Sequence, residues 1–274
     1  MNRICFSENC GGEPYKAFPF MSDGKPVGGA LWGMTLRAAG SMRFRWTEKN
    51  ENRIKFLSEI AGHYGNKTPV PVQLDHTKIV YDVSEVHDTD GKIGDGIITE
   101  NAGFMPVVTV ADCVPIFLYS PETGLFGVVH SGWKGTGIAG EAVKMMKMRG
   151  TDPEKICAAV GPHIRDCCYV VNKERADYFA REFCADCVRK IEAGEKLCRG
   201  APAKWDNGSG TLYRLSLLKA NLAVLEKAGI KEQNITVAED CTCCNSVFGS
   251  NRRETSSGIE FTVQAAFIVR GVYE

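Results

Sequence analysis

Three short apolar runs, rich in β-branched residues, stand close together near the middle of the chain: Val107–Val110, Val114–Tyr119 and Phe126–Val129. They predict three buried strands. A turn, Ser120-Pro121-Glu122-Thr123-Gly124, joins the last two. Beyond them Ile138, Ala142, Val143 and Met146 fall on one stripe, which predicts a helix over about Gly137–Met148 that ends at Gly150. Helical spacing recurs over Glu48–His63, where Ile54, Leu57, Ile60 and Ala61 repeat before Gly65 and Pro69 stop the pattern. It recurs again over Asn172–Gly194, and over Leu212–Lys227 with Leu215, Leu218, Leu222 and Leu225 in register. Further strands are expected within Val70–Val83, at Ile156–Val160, at Ile235–Ala238 and in the closing run Phe261–Val269. Residues 1–30 read as short strands and turns, Met34–Ser41 as a strand running into a loop, and 199–211 as loop. No repeat or linker divides the pattern, so one domain over residues 1–274 is expected, with mixed strands and helices in an α/β or α+β arrangement.

Composition narrows the function. An apolar fraction of 44% with 24% charged residues is that of a soluble protein with a sizeable core. Lysine plus arginine equals aspartate plus glutamate, so the whole chain exerts no net electrostatic pull on nucleic acid or membrane. The first residues lack a signal-like apolar core, and no run is long enough to span a membrane, so a cytoplasmic protein is expected. There the twelve cysteines should be thiols, metal ligands or nucleophiles rather than disulfides. Cys184-x-x-Cys187, followed by Cys198, lacks the second pair of a zinc finger and reads as structural. The adjacent Cys167-Cys168 also reads as structural, since a vicinal disulfide is strained.

The candidate chemistry gathers at the ends of the central strands. Cys113, next to Asp112, follows the first run, and His130 ends the third. Such a pair can share a metal or act as nucleophile and base; the alternative is a buried thiol beside a hydrogen-bonded core histidine. His76 lies in the strand-like segment VQLDHTKIVYDV, and His87 in a polar loop. After His130 comes a glycine-rich loop, Ser131-Gly132-Trp133-Lys134-Gly135-Thr136-Gly137, that opens a helix. Its small residues, the helix N-terminus and Lys134 suit a phosphate, and Arg37, Arg252 and Arg253 are candidates to complete the pocket.

Five separated motifs occur in family order: Asp112-Cys113-Val114-Pro115, His130-Ser131-Gly132-Trp133-Lys134-Gly135, Gly161-Pro162 with Cys167-Cys168-Tyr169, Cys241-Thr242, and Ser250 with Arg252-Arg253. In these the chain resembles the bacterial YfiH family, related to the mammalian laccase domain-containing protein and also called multicopper polyphenol oxidases. The resemblance implies a YfiH-like fold of mixed sheets with flanking helices, similar to that of bacterial toxin cysteine deamidases. It also implies a zinc held by His76, Cys113 and His130. This chain departs from the family pattern at Leu74, where glutamine is usual, at Ser216, where aspartate is usual, and in the loop between Gly249 and Gly258.

Three functions follow. The resemblance implies a purine nucleoside phosphorylase that turns adenosine, inosine, guanosine or methylthioadenosine plus phosphate into base plus ribose 1-phosphate. Adenosine deamination is a possible second activity. Three protein ligands leave a zinc one open position, as catalytic sites require. A copper phenol oxidase would use the same three ligands, but its coupled copper centre needs far more than the five histidines present. A Cys113–His130 hydrolase is the third reading. The expected partners are a purine nucleoside and phosphate, with no nucleic acid or membrane, and the protein is expected to be a monomer or weak homo-oligomer.

Overall fold

The apolar runs pair into two sheets stacked face to face. In the computed structural model, which describes residues 1–8, 12–192, 194–195, 197 and 210–271, the larger sheet has seven strands. Their spatial order is Asn2–Ile4, Ile235–Ala238, Cys157–Val160, Val114–Tyr119, Phe126–Ser131, Gly96–Thr99 and Val80–Asp82. The second has five, in the order Tyr15–Ser22, Lys25–Thr35, Gln264–Arg270, Phe104–Val110 and Thr68–Pro71. A small third sheet joins Val170–Val171, Tyr213–Leu215 and Val188–Lys190. Parallel and antiparallel pairs occur together, and this is a mixed α/β fold.

Both faces of the central strands are buried, which is why they read as unbroken apolar runs. Ile116 and Leu118 point to a core shared with helices Ile138–Met148 and Leu217–Lys227. Their neighbours Phe117 and Tyr119 point the other way, onto Trp32, Val108 and Ile268 of the five-stranded sheet. That sheet's outer face, with Met105, Val107 and Phe267, is covered by helix Glu51–His63 through Leu57 and Ile60. The result is four layers, helices outside and sheets within. Among the described residues no helix is long and apolar enough to cross a membrane.

Several expected elements are displaced, each for a local reason. The first helix starts at Glu51, because Asn50 caps it by accepting from the Arg53 backbone N–H at 3.0 Å. Its Ile54 is exposed, while Arg53 is buried with its guanidinium 4.3 Å from the Phe44 ring centre. The helix expected over 172–194 stops at Glu182, and Val188–Lys190 is a strand instead. Pairing with Tyr213–Leu215 satisfies that backbone and overrides its helical spacing. For the same reason the helix expected from Leu212 begins at Leu217, with the Ser216 hydroxyl accepting from the Lys219 N–H at 3.2 Å. The closing strand begins at Gln264 rather than Phe261. The loop expected over 199–211, apart from residues 210 and 211, and Cys198 lie outside the described residues.

Candidate metal and active site

The strand Phe104–Val110 ends in the five-stranded sheet and Val114–Tyr119 begins in the other, so residues 111–113 cross between the two layers. The crossing is tight. Asp112 takes a left-handed backbone with φ 84° and is held by its buried carboxylate. That group accepts from the Thr242 hydroxyl at 2.6 Å, the Ser250 hydroxyl at 3.0 Å and the Arg252 backbone N–H at 2.6 Å. Burial raises the Asp112 pKa against these three donors. In the antiparallel pairing that follows, Pro115 stands opposite His130 and Val114 opposite Ser131. Cys113, one residue earlier, is thereby set beside His130.

His76 arrives from elsewhere and differently from the sequence expectation. The segment 70–83 is not one strand: Thr68–Pro71 and Val80–Asp82 are separate, and His76 sits in the loop between them with φ 57°. The buried carboxylate of Asp95 organises that loop. It accepts from the backbone N–H groups of His76 at 3.0 Å and Thr77 at 2.6 Å, and from the Thr77 hydroxyl at 2.7 Å. A chain folded around a carboxylate in this way cannot also run as a strand. Gln73, three residues before the histidine, accepts from the Trp46 N–H at 3.0 Å, while Leu74 lines the cavity described below.

The ligand atoms of His76, Cys113 and His130 come within 4.8 Å of one another. Nε2 of His76 is 3.8 Å from Sγ of Cys113, and the two imidazole rings are 4.9 Å apart and nearly perpendicular. Asp95, ionised because its pKa is lowered despite burial, accepts from Nδ1 of His130 at 2.7 Å. That leaves Nε2 of His130 for the cluster. Burial opposes ionisation of Cys113, but charge and hydrogen bonds from His130 and His76 outweigh it and bring the thiol down to about 6. Burial likewise opposes a charged His130, yet Cys113 and Asp95 push it up to about 10. Both shifts favour a thiolate–imidazolium pair near neutral pH when no metal is bound. Two imidazoles and a thiolate are a donor set that suits zinc, and the cluster could hold a metal ion.

The glycine-rich loop serves this cluster by making room. A Cβ on Gly132 would lie 2.5 Å from Cδ2 of His76 and 3.3 Å from Sγ of Cys113. One on Gly135 would lie 2.6 Å from the Thr77 carbonyl oxygen. Gly137 caps the following helix with φ 108°.

The three residues open onto a cavity of about 510 Å³, lined also by Phe44, Trp133, Tyr169 and Phe261. Its cations are Arg43, Arg45, Arg175 and Arg252. Of the four basic residues expected around an anion, Arg252 alone is here. Lys134 is exposed, with Nζ 5.5 Å from the Trp133 ring, and is not part of the lining. Arg37 pairs with Glu254 at 3.4 Å and lines a different pocket. Arg253 is buried, where it donates to the carbonyls of Thr242, Cys243, Asn245 and Phe248. Sequence reading missed Asp95, whose signal was an acidic residue directly before a buried apolar run. It also missed Arg43 and Arg45, which the alternating Arg43-Phe44-Arg45-Trp46 could have revealed. Arg175, 3.8 Å from the Trp133 ring centre, left no such trace.

A mixed α/β fold with a two-histidine, one-cysteine cluster where its sheets part defines a protein of the YfiH type. The chain belongs to the family described as multi-copper polyphenol oxidoreductase laccase, whose model matches residues 47–269. A crystal structure of YlmD from Geobacillus stearothermophilus superposes with a TM-score of 0.73 at 28% identity, covering 93% of this chain and 97% of that one. The Geobacillus stearothermophilus protein named purine nucleoside phosphorylase YlmD is 37% identical over 58% of this chain and 55% of its own length. A prokaryotic protein named adenosine deaminase RL5 is 32% identical over 61% of this chain and 60% of its own. The chain spans about half the length of the first curated relatives it matches, at 55%, 55% and 47%.

Proposed function

We propose that residues 1–274 act as a single domain that cleaves the N-glycosidic bond of a purine nucleoside with phosphate as nucleophile, using zinc bound by His76, Cys113 and His130. The observation that carries this reading is the position of the three ligands in a cavity that also presents four arginines and several aromatic rings. The names of relatives support the substrate class. When bound, zinc would supply a Lewis acid next to the substrate.

The chain's own residues divide the remaining work. Asp95 holds His130 with its Nδ1 committed and its Nε2 turned toward the cluster. Trp133, Tyr169, Phe44 and Phe261 line the cavity, and aromatic rings suit a purine; Arg175 already covers one face of Trp133 and Arg53 one face of Phe44. Arg252 shares the cavity with Arg45, Arg175 and Arg43, the last of which also pairs with Glu48 and Glu260, and guanidinium groups suit phosphate. An anion held there lies against the bound sugar, and fixing that orientation can remove several kcal/mol of barrier. The cavity volume of about 510 Å³ is in the range of small-molecule sites.

Adenosine deamination is a second reading, favoured by the relative named adenosine deaminase. A multicopper oxidase lacks support: among the described residues, which include all five histidines, no second histidine cluster exists. Chromatography of adenosine, inosine, guanosine and methylthioadenosine incubated with the zinc-loaded protein tests the proposal. Free base formed only with phosphate is the expected result, and inosine formed from adenosine without phosphate is the deaminase result. No change in any nucleoside would refute both.

A further inference from the structure

A second set of sulfur atoms gathers away from the cluster just described. Cys167 and Cys168 lie in the turns that follow strand Cys157–Val160, and Cys241 and Cys244 in the turn that follows Ile235–Ala238. Those strands are parallel neighbours, so both turns leave the sheet at the same end. They are pinned side by side, because the Thr242 N–H donates to the His163 carbonyl at 3.1 Å.

No disulfide joins any of the four, and their Sγ atoms lie within 4.8 Å of one another. Cys167 and Cys168 are 3.9 Å apart, Cys167 and Cys244 3.6 Å, and Cys168 and Cys244 3.3 Å. Sulfurs bonded tetrahedrally to one zinc at about 2.3 Å stand about 3.8 Å apart. The observed spacings bracket that value. Thiols are weak hydrogen-bond partners, so mutual hydrogen bonding gives little reason for four of them to converge.

The surroundings suit negative sulfur. The Arg165 backbone N–H donates to Sγ of Cys241 at 3.4 Å. Three guanidinium groups hold nearby carbonyls: Arg165 that of Ala238, Arg214 that of Cys167, and Arg252 that of Cys168. Arg214 also pairs with Glu195 at 2.7 Å, so the positive charge of Arg165 and Arg252 is what offsets the excess that four thiolates around a divalent ion would leave.

We propose that Cys167, Cys168, Cys241 and Cys244 bind one soft divalent metal ion, zinc by its ligand set, at a structural site distinct from His76, Cys113 and His130. Four protein ligands close the coordination sphere, which makes the site a brace rather than a reaction centre. It ties together two turns that shape the cavity. One carries Thr242, which donates to Asp112 beside Cys113, and the other leads to Tyr169 in the cavity wall.

Metal analysis of the 274-residue chain, purified under reducing conditions, tests this. Two zinc ions per chain are expected. The Cys167→Ser/Cys244→Ser variant should keep one, and Cys113→Ala should keep the other. If the double variant does not fold, cobalt exchanged into Cys113→Ala still reads the site, because an all-thiolate centre gives intense sulfur-to-metal charge-transfer absorption. A single zinc in the wild type that vanishes in Cys113→Ala would overturn the proposal. So would a disulfide between any of the four cysteines in freshly purified protein, found by intact mass.

Discussion

Asp95 and His130 are joined twice. The Asp95 carboxylate accepts from Nδ1 of His130 at 2.7 Å, and the Asp95 carbonyl accepts from the His130 backbone N–H at 2.7 Å. The same carboxylate holds the backbone of His76 at 3.0 Å, so one buried acid orients both histidines. Asp95→Asn removes the charge and confuses the donor pattern at His130. Zinc affinity should fall roughly 10–100-fold, as measured by competition with a chromophoric chelator. An unchanged affinity would show that Asp95 does not orient the ligand.

The contrast between Asp95 and Cys113 explains what the sequence could show. Cys113 and His130 were legible because each ends an apolar run, and strand pairing through Pro115 and His130 then brings them together. The two-sheet core was legible for the same reason: runs buried on both faces leave a plain signal. His76 was named through resemblance, but its loop was read as strand, because its shape depends on Asp95 some twenty residues away in sequence. The basic residues expected around an anion do not gather in one cavity, because a charged side chain carries no mark in the sequence of which way it faces. Lys134 and Arg253 sit in strong motifs, yet one is exposed and the other serves four carbonyls. Ser216, in a position where the family usually has aspartate, was legible as a departure but not as a helix cap.

Gly132 leaves no room for a side chain unless His76 shifts. A Cβ there would stand 2.5 Å from His76, so Gly132→Ala must move that ring or the loop that carries it. The expected cost is about 1–3 kcal/mol of stability, together with loss of zinc bound at His76, Cys113 and His130. Thermal unfolding and metal analysis check the two effects. Full occupancy of that site in the variant would mean that His76 is not a ligand.

Zinc affinity at this site should depend on pH in a stated direction. In the metal-free protein, despite burial, His130 brings the Cys113 thiol down to about 6, while Cys113 and Asp95 push His130 up to about 10, so the two titrate as one coupled pair. Between those values the pair holds one proton, on His130, which metal binding must displace. Affinity should therefore rise roughly ten-fold per pH unit across that window, fall more steeply below it and level off above it. Titrations at pH 7 and pH 8, with proton release followed in weak buffer, provide the check. A flat profile would contradict the thiolate–imidazolium pair.

The arginines of the cavity should separate phosphate from nucleoside. Arg252→Ala keeps the backbone N–H that Asp112 needs and loses the guanidinium, with its bonds to the carbonyls of Cys168 and Val170. The KM for phosphate should rise about ten-fold or more, in line with a lost charged hydrogen bond, with a smaller change for the nucleoside. Lys134→Ala, outside the cavity lining, should leave both nearly unchanged. Steady-state kinetics in each substrate would reverse this account if Lys134 proved the more sensitive position.

The central claim is that phosphate attacks the sugar of a purine nucleoside in the cavity beside His76, Cys113 and His130. Phosphorus NMR of zinc-loaded protein with inosine and inorganic phosphate reads this directly. The account predicts a sugar 1-phosphate signal that grows in step with free hypoxanthine and is lost in Cys113→Ala. Hypoxanthine released with no phosphate ester formed, or phosphate ester formed equally well by Cys113→Ala, would contradict it.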